Sequence, residues 1–186
     1  MGSALSDKSR MADRVTARAC QYGMLMPMLE VSRSIVIQRA LVEVQAQFGD
    51  VAYHERRGHH RGVQFLVTRD DAAECEYDQI TRIGPKSLRQ RFRLDRADPA
   101  HQVNALLEGV FAPGSITFDF AASGADATQV RATLRSEASG AARLAAPLLR
   151  RLLGRALAQG LDEDRNDLES GDYARRAELG ATERAQ

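Results

Sequence analysis

Between residues 63 and 135 one constraint recurs: short segments of alternating polarity, each cut from the next by turn-forming residues. Alternation with period two matches the pleat of a half-buried β-strand and no helical period. Val63, Phe65 and Val67 interleave with Gln64, Leu66 and Thr68, and Leu88, Gln90, Phe92 and Leu94 interleave with Arg89, Arg91 and Arg93. Ile116, Phe118 and Phe120 alternate with Thr117, Asp119 and Ala121, and Val130, Ala132 and Leu134 with Gln129, Arg131, Thr133 and Arg135. Val103, Ala105, Leu107, Gly109 and Phe111 share one face of a further segment, and a weaker strand runs from Glu74 to Ile83. Asp70-Asp71, Gly84-Pro85, Pro113-Gly114 and Ser123-Gly124 supply the turns. Consecutive strands joined by short turns form an antiparallel meander with one dry face and one wet face.

The dry face needs a cover, and the sequence contains one candidate long enough. From Ala141 to about Glu169, Leu144, Ala145, Leu148, Leu149, Leu152, Leu153, Ala156, Leu157 and Leu161 recur at three- and four-residue spacing. That period predicts an amphipathic helix with a broad apolar face, its regular part beginning near Pro147. Upstream, Leu29 to Ile37 reads as a strand, Gln38 to Gln47 as a helix, and Val51 to Arg57 as a second short helix stopped by Gly58. The predicted class is α+β: a curved antiparallel sheet of about seven strands around one long C-terminal helix. Such a sheet under a single helix tends to enclose an apolar cavity.

The ends differ in character. Residues 1–27 lack a sustained period and are expected to form a flexible arm, residues 28–170 the folded domain, and residues 171–186 a charged, flexible tail. Twenty-six basic and 25 acidic side chains leave a formal charge of +1, which argues against a dedicated nucleic-acid surface. Cys20 and Cys75 are too few for a disulfide framework, and Cys75 reads as a small core residue. No apolar run is long enough to span a membrane, and Tyr22 to Leu29, broken by Gly23 and Pro27, makes a poor signal peptide. The expected location is cytoplasmic. The row Arg89, Arg91 and Arg93 reads as a solvated outer sheet face paired across strands with Glu74, Glu76 or Asp78.

This order of elements, over about Met28 to Glu169, resembles the START-like, Bet v 1-like superfamily of polyketide cyclases and lipid-transfer proteins. The resemblance implies a helix-grip fold and a tunnel for a hydrophobic small molecule such as a lipid, polyketide, terpenoid or aromatic compound. Phe65, Tyr77, Phe92, Leu94, Leu107, Phe111, Phe118, Leu148, Leu152 and Leu157 are the expected cavity residues, and periodicity does not separate lining from core. A carrier of this kind needs no cofactor.

A sharper local resemblance lies in Phe48-Gly-Asp-Val-Ala-Tyr-His54-Glu-Arg-Arg-Gly-His59-His60 and in Glu163-Asp164-Arg165-Asn166-Asp167. Both segments are similar to the iron-binding segments of Rieske oxygenase catalytic domains. Carried over by position, that resemblance implies His54, His59 and Asp164 as ligands of Fe(II), with Asp50 behind a ligand histidine. Residues five apart on an ideal helix are rotated by about 140°, so His59 must leave the helix, as Gly58 permits. His60 competes with His59 as second ligand. The paired Cys and His ligands of a Rieske cluster are missing, so an iron centre here needs an electron-donor protein. A metal-free cyclase or dehydratase using one histidine as acid or base is the other enzymatic reading, with Tyr53 and Tyr77 as candidates to orient a ligand carbonyl.

Overall fold

The computed structural model describes residues 28–83, 85–137 and 145–175. The predicted arm, the tail beyond residue 175 and the helix start at Ala141 to Leu144 lie outside the described residues. The elements follow in the expected order: β1 (Met28–Ile37), α1 (Leu41–Gly49), α2 (Val51–Arg57), six strands and a final helix. The six strands are β2 (Val63–Asp70), β3 (Glu74–Ile83), β4 (Lys86–Asp95), β5 (His101–Glu108), β6 (Gly114–Ala122) and β7 (Thr128–Glu137). The helix is α3 (Ala146–Ser170), with Pro147 in its first turn. One seven-stranded antiparallel sheet results, in the order β1-β7-β6-β5-β4-β3-β2. Strands β2 to β7 are joined as a meander, and β1 closes on β7 from the other end of the chain.

The concave face carries α1, α2 and α3, and its residues follow the strand registers. Tyr77 stands beside Phe92, Phe92 beside Leu106, Asn104 beside Ile116, Ile116 beside Leu134, and Leu134 beside Val31. Two buried clusters sit on this face. Ile37, Val44, Phe48, Phe120, Val130, Leu161 and Leu168 form one beneath α1 and α3. Val51 of α2 packs with Cys75, Tyr77, Phe92, Leu94 and Leu106 of β3 to β5 to form the other. Cys75 is fully buried as expected, and burial pushes its thiol up to about 12.

Three sequence expectations change here. Strand β5 turns Gln102, Asn104 and Leu106 inward, while Leu107 belongs to the opposite face and is 39% exposed. Partners outweigh hydrophobicity at this strand: Gln102 donates Nε2 to the Gln45 carbonyl at 2.8 Å, and Asn104 accepts from the Tyr77 hydroxyl at 2.8 Å. The inward stripe of α3 runs through Gly154, Leu157, Leu161, Asp164 and Leu168. Leu148 and Leu152 lie about 120° and 160° around the helix from Gly154, and both are exposed. At Gly154 the helix comes against β1: a Cβ there would lie 3.4 Å from Val31 Cγ1 and would meet the tip of the flexible Arg33 side chain. The packed unit also runs past residue 170. Tyr173 is buried and meets the Tyr53 ring edge-on at 4.9 Å.

On the convex face the arginine row is neutralised as expected. Arg89 and Arg91 both donate to Asp78, which is 1% exposed, and Arg93 reaches Glu74 at 3.8 Å. The two guanidiniums outweigh burial and hold the Asp78 carboxyl below the usual carboxylate range.

Candidate functional site

Helix α2 begins where Asp50 accepts the Tyr53 backbone N–H at 2.8 Å and ends at Gly58, whose φ of 57° is the left-handed value a glycine takes without strain. That turn folds the chain back, and His59 and His60 come round to meet His54. The ring centroid of His54 lies 5.2 Å from that of His59 and 5.3 Å from that of His60, and the His59 and His60 rings, tilted by 36°, are 4.1 Å apart. From α3, Asp164 points into the same spot. Its Oδ1 stands 3.1 Å from His59 Nε2, 3.2 Å from His60 Nε2 and 3.8 Å from His54 Nδ1. The sequence-derived ligands His54, His59 and Asp164 therefore share one site, and His60 joins them as a fourth donor instead of replacing His59. One atom from each of the four lies within 4.8 Å of all the others, a set able to hold a metal ion.

Outer contacts orient two of the rings. His54 Nε2 donates to the Gln47 carbonyl at 3.1 Å, and His60 Nδ1 donates to Glu163 at 3.2 Å. Each ring thus commits its outer N–H to an acceptor and turns its other nitrogen toward Asp164. His59 Nδ1 is buried without a partner among the described residues. Burial lowers the His54 pKa to about 4, only partly opposed by Asp164. Burial would also lower that of His60, but the Asp164 and Glu163 carboxylates outweigh it and raise it. For Asp164, burial favours the neutral acid, yet the three imidazoles prevail and hold the carboxyl well below its ordinary range.

Asp50 and Tyr53 serve other ends than the sequence suggests. The Asp50 carboxylate is the N-cap of α2. The Tyr53 hydroxyl donates to Asp167 at 2.6 Å, and burial together with that bond raises its pKa. Asp167 also accepts from Gln47 and from Arg57, which ties α1 and α2 to α3 beside the histidines. Nothing in the hydrophobic pattern marks Asp167. Its spacing of three residues from Asp164, on the same helix face, was the available signal.

Phe65 separates the histidines from the interior, with its ring 5.6 Å from His54, 5.4 Å from His60 and 5.9 Å from Tyr77. Beyond it, Tyr77 stacks on Phe92 at 5.5 Å, and Phe92 and Leu94 are buried core. Burial raises the Tyr77 pKa, so the hydroxyl stays protonated and donates to Asn104. Phe111, Phe118 and Leu157 are half-buried. So are Ile35, Ile116 and Leu134, although all three lie on the concave face beneath the helices. On strands β6 and β7, which have neighbours on both sides, this leaves apolar side-chain surface accessible on the concave face. Asn104 and Gln90 place polar groups on the same face, and hydrophobic periodicity gave no sign of either.

No protein-family profile and no curated protein matches the chain. Solved structures do. A protein of Thermus thermophilus is similar with a TM-score of 0.68 and 18% identity, over 76% of this chain and 98% of that one. The Zhui aromatase/cyclase of Streptomyces sp. R1128 is similar at 0.68 and 15% identity, over 78% and 96%. A START superfamily protein of Mycobacterium smegmatis is similar at 0.61 and 15% identity, over 76% and 97%. At these identities the likeness is one of fold: the chain shares the helix-grip architecture of these structures. Among the described residues no helix is long and apolar enough to cross a membrane.

Proposed function

We propose that the helix-grip interior binds a hydrophobic small molecule of the lipid, polyketide, terpenoid or aromatic kind, bearing at least one carbonyl or hydroxyl oxygen. The half-burial of Ile116, Phe118 and Leu134 on the concave face carries this reading. Apolar ligand surface laid against those side chains contributes roughly 25 cal/mol per Å² before the costs of ordering. Tyr77 holds the Asn104 side-chain oxygen, which leaves the Asn104 amide N–H groups to meet a ligand oxygen. A buried donor of this kind discriminates more sharply than apolar contact alone.

The test is titration of the purified protein with an apolar fluorescent probe, together with solvent extraction and mass spectrometry of whatever co-purifies. Ile116→Trp fills the interior and is expected to weaken probe binding by about tenfold or more, a difference of roughly 1.4 kcal/mol. Equal affinity in wild type and Ile116→Trp, with both folded by circular dichroism, removes the interior as the binding site.

A cyclase or dehydratase acting in the same interior is the second reading, favoured by the Tyr77–Asn104 pair and by the likeness to an aromatase/cyclase. Its histidines stand behind Phe65, so Tyr77 and Asn104 are the first polar groups a ligand meets. Turnover of a poly-β-ketone, lost in Asn104→Leu while probe binding persists, separates enzyme from carrier. The oxygenase alternative, with Fe(II) on His54, His59 and Asp164 and electrons from a partner, draws support from the convergence of those three side chains. Against it stands His60, which occupies ground that oxygen and substrate would need.

A further inference from the structure

We propose that His54, His59, His60 and Asp164 bind one zinc-type divalent ion in a closed, four-coordinate site that fastens the α2–β2 corner to α3. This goes beyond ligand binding in the interior and does not depend on it.

The donor set comes first. Three imidazole nitrogens and one carboxylate oxygen suit zinc and its borderline neighbours, and four protein ligands are the usual complement of a structural zinc site. The spacing also fits. With bonds of about 2.0–2.1 Å, a tetrahedral ion has ligand-to-ligand edges of about 3.3–3.4 Å. Four of the six edges here are 3.1 Å and 3.2 Å from Asp164 to His59 and His60, 3.3 Å from His60 to His54, and 3.8 Å from His54 to Asp164, and the two from His59 to the other rings lie within 4.8 Å.

Proton placement points the same way. The Gln47 carbonyl can only accept, so His54 Nε2 carries that ring's proton; the Glu163 carboxylate likewise fixes the proton of His60 on Nδ1. The two inner nitrogens, 3.3 Å apart, then face each other and a carboxylate oxygen, a place where one cation is shared, either a second proton on His60 or a metal ion. A metal ion at that centre displaces the proton and engages all four side chains at once.

The site is also shut. The four side chains are only 8–9% exposed, and the rings of Tyr53 and Phe65 flank the imidazoles on their two sides. A facial triad leaves open positions for oxygen and substrate; here the fourth ligand and the flanking rings take that room. What the ion joins is equally plain. His54 belongs to α2, His59 and His60 lie on the link to β2, and Asp164 belongs to α3. An ion in this place holds one end of the helix layer as a single crosslink.

The experiment is metal analysis of the full chain, Zn(II) titration against a chromophoric chelator, and the visible spectrum after Co(II) replacement. Expected are one ion per chain, the intense absorption of four-coordinate Co(II), and a melting midpoint raised by roughly 5–10 °C at a hundredfold excess over Kd. His60→Ala is expected to weaken Zn(II) binding by about 100-fold and to convert the Co(II) spectrum to the weak bands of a higher-coordinate ion. Glu163→Gln keeps a group beside His60 and lies at the helix surface; it is expected to weaken binding by about 10–100-fold with the Co(II) spectrum unchanged. No binding by the wild-type chain overturns the proposal. So does a weak, six-coordinate Co(II) spectrum in wild type, which needs no variant to fold. Unchanged affinity and spectrum in a folded His60→Ala variant excludes the fourth ligand.

Discussion

Asp167→Ala is expected to destabilise the protein by about 3–4 kcal/mol and to lower its melting midpoint by roughly 10 °C. The carboxylate is 5% exposed and gathers donors from two other helices: Gln47 of α1, and Tyr53 and Arg57 of α2. Removing it strands the Tyr53 hydroxyl and the Gln47 amide in a buried place, and each unsatisfied donor costs about 1–3 kcal/mol. Arg57 adds less, because it is partly exposed and keeps Asp172 as a partner at 2.9 Å. Asp167→Asn retains an acceptor for the tyrosine, so about half of the loss should return. Denaturant melts of the two variants decide the matter. A loss below about 1 kcal/mol in Asp167→Ala means that this network does not hold the helices together.

Gly114→Ala is the second large effect, expected at about 3 kcal/mol, and its origin is steric. A Cβ on Gly114 would lie 2.5 Å from the Arg135 carbonyl oxygen, 2.9 Å from that of Phe111 and 3.3 Å from Ser136 Cα. All three are backbone atoms of neighbouring segments, so relief requires β6 to part from β7. Gly160→Ala is the matched control, with nothing within 4 Å of the added carbon in the middle of α3. Alanine there should stabilise by about 0.5–1 kcal/mol, since glycine weakens a helix interior. Opposite signs for the two substitutions in the same melt support the argument; a tolerated Gly114→Ala would mean the strand gap is wider than described.

The histidine site was legible in unusual detail because local chemistry specified it. Gly58 ends α2 in the left-handed conformation, and that one residue turns His59 and His60 back toward His54. Asp164 was placed by resemblance, and α3 brings it there because Leu157, Leu161 and Leu168, near it on the same face, bury themselves against the sheet. His60 was open at the sequence level. Whether it competes with His59 or joins it depends on the path of the short link into β2, which no local pattern encodes. Asp50 and Tyr53 take different roles for a related reason. An acid four residues before a histidine reads equally as a helix cap or as a ligand's support, and only the 2.8 Å bond to the Tyr53 N–H separates the two.

Strand periods, turn residues and the leucine-rich run were enough to establish an antiparallel meander under one long helix, since those patterns arise from backbone geometry within a few residues. They could not say which face of β5 or of α3 turns inward. Leu107, Leu148 and Leu152 are as apolar as their buried neighbours, yet they stay in solvent. Gln102 and Asn104 go inside because a carbonyl on α1 and a hydroxyl on β3 await them. The inward face of α3 runs through Gly154, where the helix meets Val31 of β1. Burial is decided by partners distant in the chain, and those partners exist only once the sheet has curved and the helices have closed over it.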